Sequence, residues 1–193
     1  MCKLKSAIIL KDRIFMPDYD SHSKMLDELG INDDYLGATK KFVRAELSPK
    51  DGDVFSPVDG WVFTVDQDIT PEWFSEEEYK PLMVEAVKKW AEGHIHIGIN
   101  GLKINSGANH YIKDCKDVEI YDSATVKNIY GSATVKNICG SATVEYICGS
   151  ATVKNIYGSA TVEYIYGSAT VKNIYGSATV KNIYGSATVE YIY

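Results

Sequence analysis

Long apolar runs are missing from this sequence. No segment approaches the ~20 consecutive apolar residues that a membrane-crossing helix requires, so no membrane partner is expected. The apolar stretch ending at Leu10 is short, and Lys11, Asp12 and Arg13 follow at once, which argues against a secretory leader. Cysteine is scarce as well. The four present (Cys2, Cys115, Cys139 and Cys148) show neither metal-finger spacing nor a secretory setting. Reduced thiols in a cytoplasmic protein, of a bacterium or a phage-infected cell, are the expectation. Basic residues are outnumbered, 20 Lys and Arg against 26 Asp and Glu. The deficit lies in residues 1–120, with 15 against 22, whereas residues 121–193 hold 5 against 4. Phosphate recognition needs a basic surface, so direct nucleic-acid binding is not expected. No residue set implies a cofactor.

What the sequence has in abundance is one phrase. From Tyr121 onward nine residues, typified by Tyr130-Gly-Ser-Ala-Thr-Val-Lys-Asn-Ile138, are written eight times, and Tyr193 begins a ninth copy. A strict short period marks a stacked array. Alternation along Ile129–Val135 puts Ile129, Gly131, Ala133 and Val135 on one face and Tyr130, Ser132 and Thr134 on the other. The first set is taken as the inner face, because the opposite phase buries Lys136. Nine is odd, so the alternation must reset once per copy. Lys136-Asn137, or the variant Glu145-Tyr146, is the expected corner, since Asn tolerates left-handed backbone angles. One copy cannot enclose a core. Two per coil make a flattened two-sheet solenoid and three a triangular one, and the small Gly and Ala favour two sheets packed close. An antiparallel meander is the alternative, but it leaves one sheet face uncovered. The calcium-binding nonapeptide roll needs an Asp in each repeat, and Asp122 alone supplies one.

The expected organisation is an α+β head in residues 1–93, a hairpin and capping coil in residues 94–120, and an all-β solenoid of nine-residue repeats, two per coil, in residues 121–193. In the head, Lys5 to Phe15 reads as a hairpin turning at Lys11-Asp12. Ser21 or Ser23 caps a helix through Met25, Leu26 and Leu29 that Gly30 stops. Residues 33–37 read as loop, and Lys41–Leu47 and Trp61–Val65 as strands. A helix starts at Thr70-Pro71 or at the Ser75/Glu78 capping box, kinks or restarts at Pro81, and ends at Gly93. His94–Ile99 alternates, Asn100-Gly101 signals a hairpin back to Ile104, and Ile112–Ile120 has the length of a repeat without its letters.

The residues Cys2–Leu10, Asp20-Ser-His22, Phe42–Leu47 and Val65–Phe74 resemble an uncharacterised N-terminal module of small proteins of gut bacteria and their phages, proteins that end in short β-solenoid repeats. The resemblance covers most of residues 1–93 and implies an origin, with no activity attached. Tyr157-Gly-Ser-Ala-Thr161 is similar to part of the longer repeat of bacterial ice-nucleation proteins.

Several residues carry candidate chemistry. Cys2, exposed by removal of Met1, has the position of an N-terminal nucleophile. His94 and His96, two apart on one strand, have metal-ligand spacing, with His110 or Cys115 to complete a set. Asp66 and Asp68 offer oxygen ligands to a divalent ion. Asp20, Ser21 and His22 carry triad letters in a run that reads better as a helix cap. Two repeats per coil align Tyr121, Cys139, Tyr157 and Tyr175 in one ladder and Tyr130, Cys148, Tyr166, Tyr184 and Tyr193 in another. An interaction face of Tyr130, Tyr157, Tyr166, Tyr175, Tyr184, Thr134, Thr161 and Thr170 is expected. An open coil end formed by Ile183, Tyr184, Tyr191, Ile192 and Tyr193 invites a homodimer. The function expected is a non-enzymatic, phage-derived binding or assembly protein with an unidentified protein partner. The alternatives are a small hydrolase or metal-binding head, and an ice- or glycan-binding Ser/Thr ladder.

Overall fold

A computed structural model describes residues 4–193. The chain divides into two compact units, one reaching Glu92 and the other spanning Gly93–Tyr193. Cys2 lies outside the described residues.

The first unit is built on a four-stranded antiparallel sheet in the order β2-β1-β3-β4, from β1 (Lys5–Ile9), β2 (Ile14–Phe15), β3 (Val43–Ser48) and β4 (Val62–Val65). The hairpin at Lys11-Asp12 forms with Ile9 opposite Ile14. Across the sheet Ser6, Glu46 and Thr64 stand side by side, with Ile8 beside Arg44. Helix α1 (His22–Leu29) starts where Ser21 accepts a hydrogen bond from the Lys24 backbone N–H and stops at Gly30, whose φ of 63° is left-handed. Its Met25 and Leu26 bury against Ile8 and Phe42. Two expectations are corrected. The presumed loop after Asp33 contains helix α2 (Tyr35–Lys40), seeded by Asp34 accepting from the Gly37 N–H at 2.7 Å. Helix α3 (Glu76–His94) begins after Ser75, the second of the two expected starts, because Pro71 closes only a turn with Phe74, and it runs through Pro81 without the expected restart.

The second unit is a β-solenoid of two parallel six-stranded sheets. One sheet holds β5 (Ile95–Ile97), β7 (His110–Lys113), β9 (Thr125–Tyr130), β11 (Thr143–Ile147), β13 (Thr161–Ile165) and β15 (Thr179–Ile183). The other holds β6 (Lys103–Ile104), β8 (Val118–Ile120), β10 (Thr134–Ile138), β12 (Thr152–Ile156), β14 (Thr170–Ile174) and β16 (Thr188–Ile192). Successive strands fall in opposite sheets, so two repeats make one coil, and identical letters stack eighteen residues apart, as Val135 on Val153. The hairpin expected at Asn100-Gly101 does not form. The chain turns there with Gly101 at φ 74°, but β5 pairs with β7 and β6 with β8, both parallel. The solenoid therefore starts at Ile95, and Ile112 and Ile120 stack directly beneath Ile129 and Ile138.

The phase of strand and corner is also corrected. The strands are Thr-Val-Lys-Asn-Ile, and the chain reverses at Tyr-Gly-Ser-Ala. Glycine decides this. Gly131, Gly140, Gly149, Gly158 and Gly167 all hold φ between 69° and 74°, a region costly for residues with a Cβ. A Cβ on Gly149 would stand 3.0 Å from the Gly131 backbone nitrogen in the coil below. Gly131 is thus a corner residue and not part of the inner face. The other inner assignments stand: Ala133, Val135 and Ile138 and their counterparts up to Ala169 and Val171 are essentially inaccessible. Val135 and Ile138 lie three apart yet both point inward, so the alternation does break at Lys136-Asn137, inside the strand.

Candidate functional site

The last coil displays what every earlier coil hides. Ile156 and Ile165 are inaccessible and Ile174 is 5% exposed, whereas Ile183 is 45% and Ile192 73% exposed. Tyr184, Tyr191 and Tyr193 are 56%, 57% and 68% exposed beside them. β15 and β16 each have one strand neighbour, so one backbone edge of each faces outward. Apolar core groups and unpaired peptide groups share this end, which is the composition of a pairing template.

The sides of the solenoid differ from the even surface that eight near-identical copies suggest. On the β9–β15 side Lys127 pairs with Glu145 and Lys181 with Glu163, and Tyr146 stacks on Tyr164 at 5.2 Å. On the β10–β16 side Lys136, Lys154 and Lys172 stand in one row along a groove of about 410 Å³, with Asp117 3.5 Å from Lys136 at its end. Beside that row Asn173 donates to Asn155 at 3.1 Å and Asn155 to Asn137 at 3.0 Å. Two of the three Glu-Tyr copies, Glu145-Tyr146 and Glu163-Tyr164, fall in the β9–β15 sheet and the third, Glu190-Tyr191, ends the other sheet in β16, so the spacing of the variants carried the signal for this uneven surface. The expected face residues are divided between the two sides. Thr134 and Thr170 lie in one sheet and Thr161 in the other. Tyr157 and Tyr175 lead one corner ladder, and Tyr130, Tyr166 and Tyr184 the opposite one. Tyr193 belongs with the first, stacking on Tyr175 at 4.9 Å. In the second, burial and then the Cys148 thiol push the Tyr166 hydroxyl up to about 12.

His94 and His96 do not share a strand. His94 ends α3, and His96 is buried in β5. Both rings stack on His110, at 5.3 and 5.5 Å. His110 Nε2 lies 3.0 Å from the Ser106 carbonyl, which can only accept, so Nε2 carries the proton and Nδ1 accepts from His96 Nε2 at 3.2 Å. Cys115 donates to the His96 carbonyl at 3.3 Å.

The head holds a buried polar cluster that sequence reading split into separate fragments. Lys5, fully buried, donates to the Pro17 carbonyl at 2.7 Å, lies 3.4 Å from Asp20, and sits 5.0 Å from the centre of the Trp90 ring. Burial pushes the Lys5 ammonium down and the Asp20 carboxyl up. Asp20 also accepts from the Ser6 N–H at 2.9 Å. Two residues on, His22 sits at the start of α1 with Nε2 3.2 Å from the Ala45 carbonyl and Nδ1 3.3 Å from Asp66 Oδ2. Glu46, 4% exposed, completes a set in which a ligand atom from each of His22, Glu46 and Asp66 lies within 4.8 Å of the others. Asp66 is held by its own N–H on the Arg44 carbonyl, and Gln67 clamps the following turn by accepting from the Arg44 N–H at 2.8 Å. Asp68, the partner expected for Asp66, is not in this set. Ser21 caps the helix, as its sequence position suggested.

Compared with family models, curated proteins and solved structures, the chain matches none. Among the described residues no helix is long and apolar enough to cross a membrane.

Proposed function

We propose that the protein is a non-enzymatic assembly protein that joins a second copy of itself through the last coil of its solenoid. The observation that supports this most is the exposure of Ile183 and Ile192, whose equivalents in the preceding coils are buried. An isologous, twofold end-to-end contact places each β15–β16 end against its twin, so that both open edges gain partners and both sets of isoleucines leave water. The phage derivation implied by the head's resemblance agrees with such a role, since assembly proteins carry interfaces instead of catalytic clefts. The tyrosine ladders then serve as the flank on which a further protein partner docks.

Light scattering after size exclusion tests the reading. The wild-type chain is expected at twice its 21.4 kDa mass, and Ile192→Lys at the monomer mass with an unchanged far-UV spectrum. A wild-type chain that runs as a monomer at every concentration rules the assembly out.

A further inference from the structure

We propose that His22, Glu46 and Asp66 bind one divalent transition-metal ion of the zinc class. The argument starts at the imidazole. Its Nε2 faces the Ala45 carbonyl at 3.2 Å, and its Nδ1 faces the Asp66 carboxylate at 3.3 Å. A carbonyl oxygen only accepts, so Nε2 carries the N–H. That leaves Nδ1 with a lone pair directed at a second acceptor, a contact that is repulsive unless a cation lies between them. A proton on Nδ1 and a metal ion are the two cations available to such a gap.

Charge separates the two. Glu46 brings a second carboxylate into the set, almost wholly buried, while Asp66 is 58% exposed at its side chain. A protonated ring adds one positive charge to a set that carries two carboxylates, whereas a divalent ion adds two. A neutral ring, two carboxylates and a divalent ion sum to zero, which is the arrangement that burial favours.

Geometry agrees. Ligand atoms about 2.0–2.2 Å from a tetrahedral metal stand about 3.3–3.5 Å apart, which matches the Nδ1–Oδ2 separation of 3.3 Å, and all three ligand atoms lie within 4.8 Å of one another. The Ala45 carbonyl fixes the ring as backbone acceptors do for metal-bound histidines. An imidazole ligand favours zinc over calcium, magnesium or manganese, which prefer oxygen ligands. The exposed Asp66 gives the ion a route in from solvent.

The test is calorimetric titration of the full-length chain, stripped with chelator, against zinc chloride. One ion per chain is expected, with Asp66→Asn weakening binding tenfold or more and His22→Gln and Glu46→Gln abolishing it. Asp66 is exposed, so Asp66→Asn keeps the test valid if the two buried variants unfold. His96→Gln is expected to bind as the wild type does. A wild-type chain that takes up no zinc leaves the gap to a proton and overturns the proposal. So does wild-type affinity in Asp66→Asn, or loss of binding in His96→Gln.

Discussion

Gly149 and Gly176 occupy the same letter of the repeat under different constraints. Both hold a left-handed φ, 71° and 65°, but a Cβ on Gly149 meets the Gly131 backbone at 3.0 Å and one on Gly176 meets nothing within 4 Å. Gly176→Ala is therefore expected to cost only the left-handed penalty of about 1–2 kcal/mol, and Gly149→Ala clearly more. Urea unfolding of the two variants checks the order, and equal losses contradict it. His96 supplies a pH dependence. Burial, then the neighbouring His110 and His94, push its imidazole down to about 4 from 6.5. The unfolded chain takes up that proton at the higher value, so the contribution of His96 is fully present above pH 6.5 and is lost as the pH falls toward 4. His96→Gln is expected to flatten the fall of the melting midpoint across that window, and an unchanged slope refutes the assignment.

At the scale of elements, the two sheets are held by different polar devices on one apolar core. The Asn137–Asn155–Asn173 ladder spans three strands, with Asn155 both donating and accepting. Asn155→Ala breaks both links and is expected to cost about 1–3 kcal/mol, read from chemical denaturation, against roughly 0–1 kcal/mol for removing the half-exposed Lys181–Glu163 pair. Much of this level was legible in the sequence. The β1–β2 hairpin, α1 between Ser21 and Gly30, and the Ala, Val and Ile inner face follow from local rules. The strand phase was not, because Lys136-Asn137 has weak strand propensity and only the stacked coil below shows that Gly, not Asn, must take the corner. Helix α2 was hidden by Gly37, and the Asn100-Gly101 turn was real while its strands found other partners. The His22, Glu46 and Asp66 set was illegible for a different reason. Its members come from α1, β3 and the residue after β4, and only the antiparallel register joins them.

For the whole molecule, the eighteen-residue coil is the unit that can be removed without changing which letters meet. Deleting residues 139–156 brings β9 against β13 and β10 against β14, and sets Lys127 beside Glu163. The shortened solenoid is expected to stay folded with a urea m-value reduced in proportion to the chain removed. Deleting only residues 139–147 exchanges the sheets beyond the cut and sets Lys127 beside Lys154, so it is expected to be the less stable of the two. Greater stability in the nine-residue deletion contradicts the two-per-coil register.

The open end remains the feature on which the account depends. Hydrogen exchange of the segment from Tyr175 to Tyr193, followed by mass spectrometry over a range of protein concentrations, reports on it directly. If two copies join coil to coil, the outward amides of β15 and β16 exchange fast in dilute solution and slow toward the rates of β13 and β14 as concentration rises. Exchange that stays fast at every concentration, with β13 and β14 protected throughout, contradicts the assembly.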